Sequence, residues 1–319
     1  MHRERTHLAA RVNRFAVAFE RRGVAATYEL HDHLLGNRRS RRLYATAPPA
    51  LDDEQRRLVD LLDEQGYATI PFADLFRDED LWPIVEQQGA AFIAETEHGL
   101  ELEGSGSGSG SLRRRGGKEF VVRAYSFESL TLGLDDPWLR ACTSRRLLDV
   151  ANAYLRMWAK LSYVDLWYTA PQAAGTERVA SQLWHQDFDD QHLLKAFLYL
   201  VDVDADAGPF EYVPGSQAGG RYADTWCWSP MGTRRLPEEE VHNRVGTDAI
   251  KTFTAPRGTL ILCNTSGLHR GGFAAGKPRV LATATYCSPA SLAALSLRNF
   301  EVDPAASTAL DRVARYAVG

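Results

Sequence analysis

The chain has 319 residues, of which 45% are hydrophobic and 24% charged, with a formal net charge of -4 at pH 7. This composition is ordinary for a globular protein with a large core and excludes global disorder. The small negative charge gives no general reason to bind nucleic acid or an anionic membrane surface, so we expect neither partner. No apolar run approaches the roughly 18 residues that span a bilayer, and the first residues do not resemble a signal peptide. We therefore expect a cytoplasmic protein.

The first fifty residues have a basic character. Apolar side chains at helical spacing between Leu8 and Phe19 predict an amphipathic helix that ends at Gly23. Residues 37–42 contain four arginines and precede a Pro-Pro pair, which is typical of an exposed basic connector. That connector is either a solvated loop or a dock for an anionic substrate or carrier. We expect residues 1–50 to form this helix and connector, and residues 51–319 to form one domain.

Helices are predicted for most of the next segment. Asp52, with Gln55 three residues later, forms a capping-box pattern before a helix that ends at Gly66. Residues 67–72 alternate like a strand, and residues 78–96 suit a further helix.

Residues 104–111 read GSGSGSGS, a strict repeat without side chains to bury. We predict a flexible loop there. Such regularity is typical of an engineered linker, with a natural low-complexity insertion as the alternative.

Strands dominate after residue 118. Residues 119–125 suit a strand and residues 136–156 a helix, and short β-rich runs separated by turn residues then follow. These runs are 162–169, 179–184, 195–203, 210–213, 249–253, 258–263 and 280–286. The pattern predicts a mainly β protein with flanking helices, as an antiparallel sandwich or jelly roll rather than repeated βαβ units. The four scattered cysteines form no CxxC pair and are expected to be reduced thiols.

Three residues in the strand-rich part form a candidate metal site. His185 and Asp187 have HxD spacing, and His269 follows a second β run in a glycine-flanked turn. Two imidazoles and one carboxylate make a facial ligand set that suits octahedral iron(II) and leaves three positions open. Zinc accepts the same ligands but is redox-inert. Arg279, ten residues beyond His269, can bind a carboxylate in bidentate fashion and stays charged when desolvated.

The chain resembles the phytanoyl-CoA dioxygenase-like family of iron(II)- and 2-oxoglutarate-dependent oxygenases. The resemblance rests on Trp184-His185-Gln186-Asp187 and on the run GPFEYVPGS that ends at Ser216, where the histidine that usually follows is replaced by Gln217. It implies a double-stranded β-helix core, a cupin-like jelly roll. It also implies a dioxygenase that uses iron(II), 2-oxoglutarate and O2, with His185, Asp187 and His269 as metal ligands and catalytic residues. Arg279 would then bind 2-oxoglutarate.

The resemblance implies a reaction as well. 2-Oxoglutarate is decarboxylated to succinate and CO2, and a small-molecule substrate is oxidised, with hydroxylation as the expected outcome and desaturation or cyclisation as others. Halogenating relatives carry a small residue where Asp187 stands, so we expect no halogenation. The arginine- and alanine-rich sequence fits bacterial specialised metabolism by association alone.

Further candidates are assigned to the rest of the site. Tyr168 is a candidate to contact 2-oxoglutarate, with a structural role as the alternative. Phe188, Phe210 and His192 are candidates for contacts with the substrate. The rival function is a non-oxidative cupin-like metal isomerase or ligand-binding protein, which would share the triad without needing Arg279.

Overall fold

The computed structural model describes residues 36–106, 112–125, 130–226, 228–229 and 235–319. The predicted helix between Leu8 and Phe19, most of the Gly/Ser repeat and Cys227 lie outside these residues. The strands are β1 Tyr67–Pro71, β2 Arg114–Arg115, β3 Lys118–Arg123, β4 Leu130–Leu132, β5 Lys160–Thr169, β6 Leu193–Tyr199, β7 Glu211–Tyr212, β8 Lys251–Thr252, β9 Thr259–Cys263, β10 His269–Arg270, β11 Arg279–Cys287 and β12 Phe300–Val302. The helices are α1 Arg38–Thr46, α2 Asp53–Gln65, α3 Phe72–Leu75, α4 Trp82–Gly104, α5 Pro137–Thr143, α6 Arg145–Leu155, α7 Glu238–Val245, α8 Leu292–Leu295, α9 Pro304–Ala309 and α10 Arg312–Val318.

Two sheets form the centre of the fold. Seven strands pair in the order β1-β9-β6-β11-β5-β3-β2, and a second sheet has the order β10-β7-β8. Every pair in these sheets is antiparallel. Together with the outer helices, they confirm the predicted mainly β jelly roll.

The two faces of the large sheet pack against different partners. Because successive side chains of a strand point to opposite faces, Val280 and Ala282 of β11 join the core beneath the helices. Leu281, between them, joins a separate cluster with residues of the small sheet, including Phe210 and Tyr212. The second cluster marks the space between the sheets, where the site is found.

The helices cover the outer face. Leu58 and Leu62 of α2 are completely buried there, as are Leu147 and Leu148 of α6. No helix in the described part of the chain is long and apolar enough to cross a membrane. The cytoplasmic location stays a prediction.

Helix α2 begins and ends as its sequence predicts. The Asp52 side chain accepts a hydrogen bond from the Gln55 backbone N–H at 2.8 Å, and the Gln55 side chain accepts one from the Asp52 N–H at 3.1 Å. At the other end Gly66 has φ +80°, a left-handed conformation that glycine adopts at no steric cost. The capping box and the terminal glycine therefore fix both ends of the helix.

We expect Asp52→Ala to lower the free energy of unfolding by about 1–2 kcal/mol, because an N-cap is lost. Ion pairs from Arg77 and Arg146, each 2.8 Å from Asp52, disappear with it. The neighbouring Asp53→Ala, whose side chain is exposed, should change stability by no more than about 0.5 kcal/mol. Urea denaturation compares the two variants, and equal losses would contradict a specific cap.

The same cap predicts a pH dependence. The backbone hydrogen bond from Gln55, aided by Arg146 and Arg77 against the opposing effect of burial, lowers the pKa of Asp52 below its ordinary value. The stabilisation is therefore complete above the ordinary aspartate pKa and is lost as the pH falls through the lowered one. The difference between the unaltered chain and Asp52→Ala should shrink on acidification.

Residues 37–42, predicted as an exposed basic connector, are largely helical rather than a solvated loop. The segment begins helix α1, where Asn37 and Ser40 are completely buried. The Ser40 hydroxyl donates to the Trp158 carbonyl at 2.7 Å, and Asn37 accepts from the Ala290 N–H at 3.0 Å. These two polar contacts hold the helix against the domain, while most of its arginines face outward. Composition alone could not predict the two contacts.

The predicted strand at residues 179–184 is also wrong. A 3-10 turn, Ala180–Gln182, lies there instead, and Ala180 has φ 50°, outside the range of a strand. The Gln182 side chain accepts from the Val179 N–H at 3.1 Å, which closes the turn. Trp184 alone of this run forms a β-bridge, with Leu236.

Two helix predictions need different bounds. The helix predicted over 136–156 is divided into α5 and α6 at Ser144, whose side chain caps α6. The helix predicted over 78–96 begins later and runs on to Gly104, the first residue of the Gly/Ser repeat. The predicted loop therefore begins one residue later, at Ser105.

Candidate metal centre

His185 and His269 are neighbours across a β-bridge. The backbone N–H of each donates to the carbonyl of the other at 2.9 Å, and the ring centroids are 4.3 Å apart. Each Nδ1 contacts the carbonyl two residues earlier, Leu183 at 2.8 Å and Gly267 at 2.9 Å. A carbonyl can only accept, so both Nδ1 atoms carry the proton. Both Nε2 lone pairs are thereby available to a metal.

Asp187 completes the group. Its Oδ1 is 3.9 Å from Nε2 of His185, and its Oδ2 is 3.7 Å from Nε2 of His269. One potential ligand atom from each of the three residues lies within 4.8 Å of the others. The Asp187 N–H donates to the Thr265 carbonyl at 2.8 Å, so the two loops that carry the ligands are fastened together.

Burial keeps the imidazoles neutral. It lowers the pKa of His185 well below the ordinary value, with the adjacent His269 adding to the effect. It also lowers the pKa of His269 to about 4. Burial alone would raise the pKa of Asp187, but the opposing effects, of which the charge of Lys195 is the largest, lower that pKa. Two neutral imidazoles and an ionised carboxylate are the protonation states that iron(II) requires, so the donor set fits this metal.

The Pro-Gly-Ser turn supports the loop before His269. The Ser216 hydroxyl donates to the Val213 carbonyl at 2.6 Å and accepts from the Leu268 N–H at 2.7 Å. Gln217, where the family usually has histidine, is buried, and its side chain accepts from the Tyr212 hydroxyl at 3.3 Å. The turn thus positions the residue adjacent to His269.

A cavity of about 380 Å³ adjoins His185 and Asp187. Its wall includes Phe188, Lys195 and Trp167. The Lys195 ammonium is 2.6 Å from Oδ2 of Asp187, and the Trp228 indole N–H donates to the Asp187 carbonyl at 2.7 Å. Lys195 was not among the predicted site residues, although its charge within the apolar strand LLKAFLY was a signal that could have identified it.

Arg279 lies on the inner face of β11, the same face as Leu281. It is 8% exposed. It donates to the Gly208 carbonyl, and its Nε has no hydrogen-bond partner among the described residues. Burial lowers its pKa, so an anionic partner would stabilise the buried cation. A Cβ built on Gly271 would lie 3.2 Å from its Nη2; the glycine therefore leaves room beside the guanidinium.

Tyr168 is not at this site, which corrects its assignment to 2-oxoglutarate. It pairs with Val280 across β5 and β11, and both belong to the core beneath the helices. Its hydroxyl lies 3.4 Å from Oε1 of Glu97 in α4. The strand's alternation therefore directs Tyr168 away from the space between the sheets.

The three substrate candidates fall in three places. Phe188 lines the cavity beside Asp187. Phe210 is buried between the sheets, with its ring centroid 5.7 Å from that of His269. His192 lines a different cavity, with Arg156 and Gln217, and is not among the residues that line the cavity beside Asp187. Its backbone N–H donates to the Asp190 side chain at 3.0 Å.

Comparison with known proteins finds a family model that matches part of the chain. The family model described as Phytanoyl-CoA dioxygenase (PhyH) matches residues 122–277. The matched segment, just under half of the chain, is similar to the phytanoyl-CoA dioxygenase family. This confirms the resemblance predicted from the motifs. The segment matched by the phytanoyl-CoA dioxygenase model includes His185, Asp187 and His269 and ends two residues before Arg279.

The individual proteins that the chain is similar to are distant from it. L-proline trans-4-hydroxylase of Streptomyces griseoviridis is 29% identical over a stretch covering 27% of this chain and 40% of that enzyme. EctD from S. alaskensis with bound Fe has a TM-score of 0.46 at 20% identity, covering 76% of this chain and 80% of its own. The epimerase SnoN from nogalamycin biosynthesis has a TM-score of 0.42 at 18% identity, covering 74% and 83%. The fold assignment rests on the strand order of this chain.

Proposed function

We propose that the protein is an iron(II)- and 2-oxoglutarate-dependent oxygenase that hydroxylates a small molecule. The observation that carries the proposal is the buried His185, Asp187 and His269 group, whose imidazoles present Nε2 lone pairs beside an ionised carboxylate. The match of residues 122–277 to the phytanoyl-CoA dioxygenase model supports it. The named activity of the Streptomyces relative, hydroxylation of L-proline, supports a small-molecule substrate.

The site residues would have different roles in the proposed reaction. His185, Asp187 and His269 would hold the metal at one face, and Arg279 would bind the distal carboxylate of 2-oxoglutarate. When bound, iron(II) would supply the activation of O2 that is coupled to decarboxylation of 2-oxoglutarate. The overall balance is 2-oxoglutarate, O2 and a C–H bond converted to succinate, CO2 and a C–OH group. Phe188 would contact the substrate at the wall of the cavity.

Two features distinguish this proposal from its rivals. A non-oxidative cupin-like protein would have no use for a buried arginine between the sheets, whereas 2-oxoglutarate has a second carboxylate for it. A halogenase needs an open coordination position where Asp187 supplies an oxygen. The metabolic setting stays a prediction.

The test is oxygen-dependent formation of succinate from 2-oxoglutarate by the purified full chain. Iron(II) should support succinate release, and the redox-inert zinc(II) should not. Matched reactions without oxygen provide the blank. Equal succinate release with the two metals, or none with iron(II), would exclude the proposed function.

A further inference from the structure

The cavity beside the metal ligands carries an excess of positive charge. Two acidic side chains line it, Asp187 and Asp189. Four cationic side chains line it as well: Lys118, Arg123, Lys195 and Arg235. A cavity in which one sign of charge is in excess attracts ligands of the opposite sign.

Arg123 is matched by its own surroundings. It lies 3.7 Å from Asp165, and both side chains are almost completely buried. Its guanidinium donates to the Tyr163 hydroxyl at 2.8 Å and stacks over Trp167 at 5.1 Å. The charge of this arginine is therefore balanced behind the cavity wall.

Lys195 is placed differently. It shares the inner face of β6 with Phe197 and Tyr199, because Leu194 and Ala196 pack on the opposite face. Among the described residues, only Asp187 accepts a hydrogen bond from its ammonium, at 2.6 Å. An ammonium has three N–H donors, so two remain for a ligand in the cavity, and only 17% of the side chain is exposed to water.

With the proposed metal bound, the carboxylate charge of Asp187 would no longer be available to Lys195 alone. Once Asp187 is shared with a dication, its carboxylate neutralises the ammonium less, and a buried charge needs a partner. The distal carboxylate of 2-oxoglutarate is assigned to Arg279, which is not among the residues that line this cavity. The charge of Asp189 also acts on Lys195, but the hydrogen bond of the ammonium goes to Asp187, so a ligand anion can take the donors that remain.

We infer that the oxidised substrate carries a carboxylate or a similarly compact anion, which Lys195 binds within this cavity. The inference rests on the proposed function. Arg235, exposed at the cavity wall, adds a positive charge that attracts the same ligand. Lys195 is thus a residue that determines substrate specificity.

The experiment uses propionate and propionamide, two probes of equal size that differ in charge. Each is titrated calorimetrically, without oxygen, into the full chain loaded with iron(II) and saturating 2-oxoglutarate. Propionate should bind at least about 10-fold more tightly, as a charge-assisted hydrogen bond predicts. Lys195→Met should abolish this preference, and Lys195→Arg, which keeps a cation, should retain part of it. Lys251→Met, which removes an exposed lysine outside this cavity, should leave the preference unchanged.

The outcomes that overturn the inference also identify where it fails. Equal binding or no binding of the two probes, or a preference that survives Lys195→Met, removes the anion site alone. Loss of 2-oxoglutarate affinity in Lys195→Met assigns the lysine to 2-oxoglutarate instead. If the unaltered chain binds no 2-oxoglutarate in the presence of iron(II), the proposed function fails, and the inference fails with it.

Discussion

His269→Ala should lower the affinity for iron(II) more than about 100-fold and reduce succinate formation to the blank. Residues that merely orient a ligand cost roughly 10- to 100-fold when removed, and here a ligand itself is lost. The remaining His185 and Asp187 supply two of the three positions. Equilibrium dialysis measures the iron, and the succinate assay measures the turnover.

His242→Ala is the matched control for that substitution. His242 lies on α7 and pairs with Glu238 at 3.6 Å, on a partly exposed surface. It should leave both iron binding and turnover unchanged. Retention of iron affinity by His269→Ala, or an equal loss in both variants, would show that the triad is not the metal site.

Arg279→Met should weaken the binding of 2-oxoglutarate by about 2–5 kcal/mol, which is at least about 30-fold. The substitution removes a buried guanidinium while keeping a side chain of comparable length. Iron affinity should stay the same because Arg279 is not one of the three grouped ligands. Calorimetric titration of 2-oxoglutarate into the iron-loaded, oxygen-free protein measures the change.

Arg257→Met provides the control for loss of an arginine. Arg257 is 56% exposed and pairs with Glu86 at 2.8 Å. Its removal should not affect 2-oxoglutarate. An Arg279→Met protein that folds normally and keeps full 2-oxoglutarate affinity would refute the assigned carboxylate site, and one that loses iron affinity as well would point to a general structural defect.

The sequence alone was sufficient to predict those parts of the fold and site that are formed by residues close together in the chain. The HxD pair and the turn before His269 carry their geometry in adjacent residues, because each imidazole is oriented by the carbonyl two residues earlier. The capping box of α2 is similarly local. Such features can be predicted without knowing how the strands pair.

Features that depend on distant pairing could not be predicted in this way. Tyr168 and Arg279 both lie on strands of the large sheet, but only the register of β5 with β11 shows that Tyr168 faces the helices. Lys195 is a visible charge within an apolar strand, but its contact with Asp187 is seen only in the folded chain. Helix α1 depends on Trp158, more than a hundred residues away.

The most direct test of the account is anaerobic optical titration of the unaltered chain, first with iron(II) and then with 2-oxoglutarate. Chelation of 2-oxoglutarate by iron(II) held at His185, Asp187 and His269 should produce a visible metal-to-ligand charge-transfer band that saturates at one equivalent of iron per chain. The band should be absent with zinc(II), because this d10 ion is redox-inert and does not transfer a d electron to the ligand. A chain that binds iron(II) but develops no band at saturating 2-oxoglutarate would contradict the account.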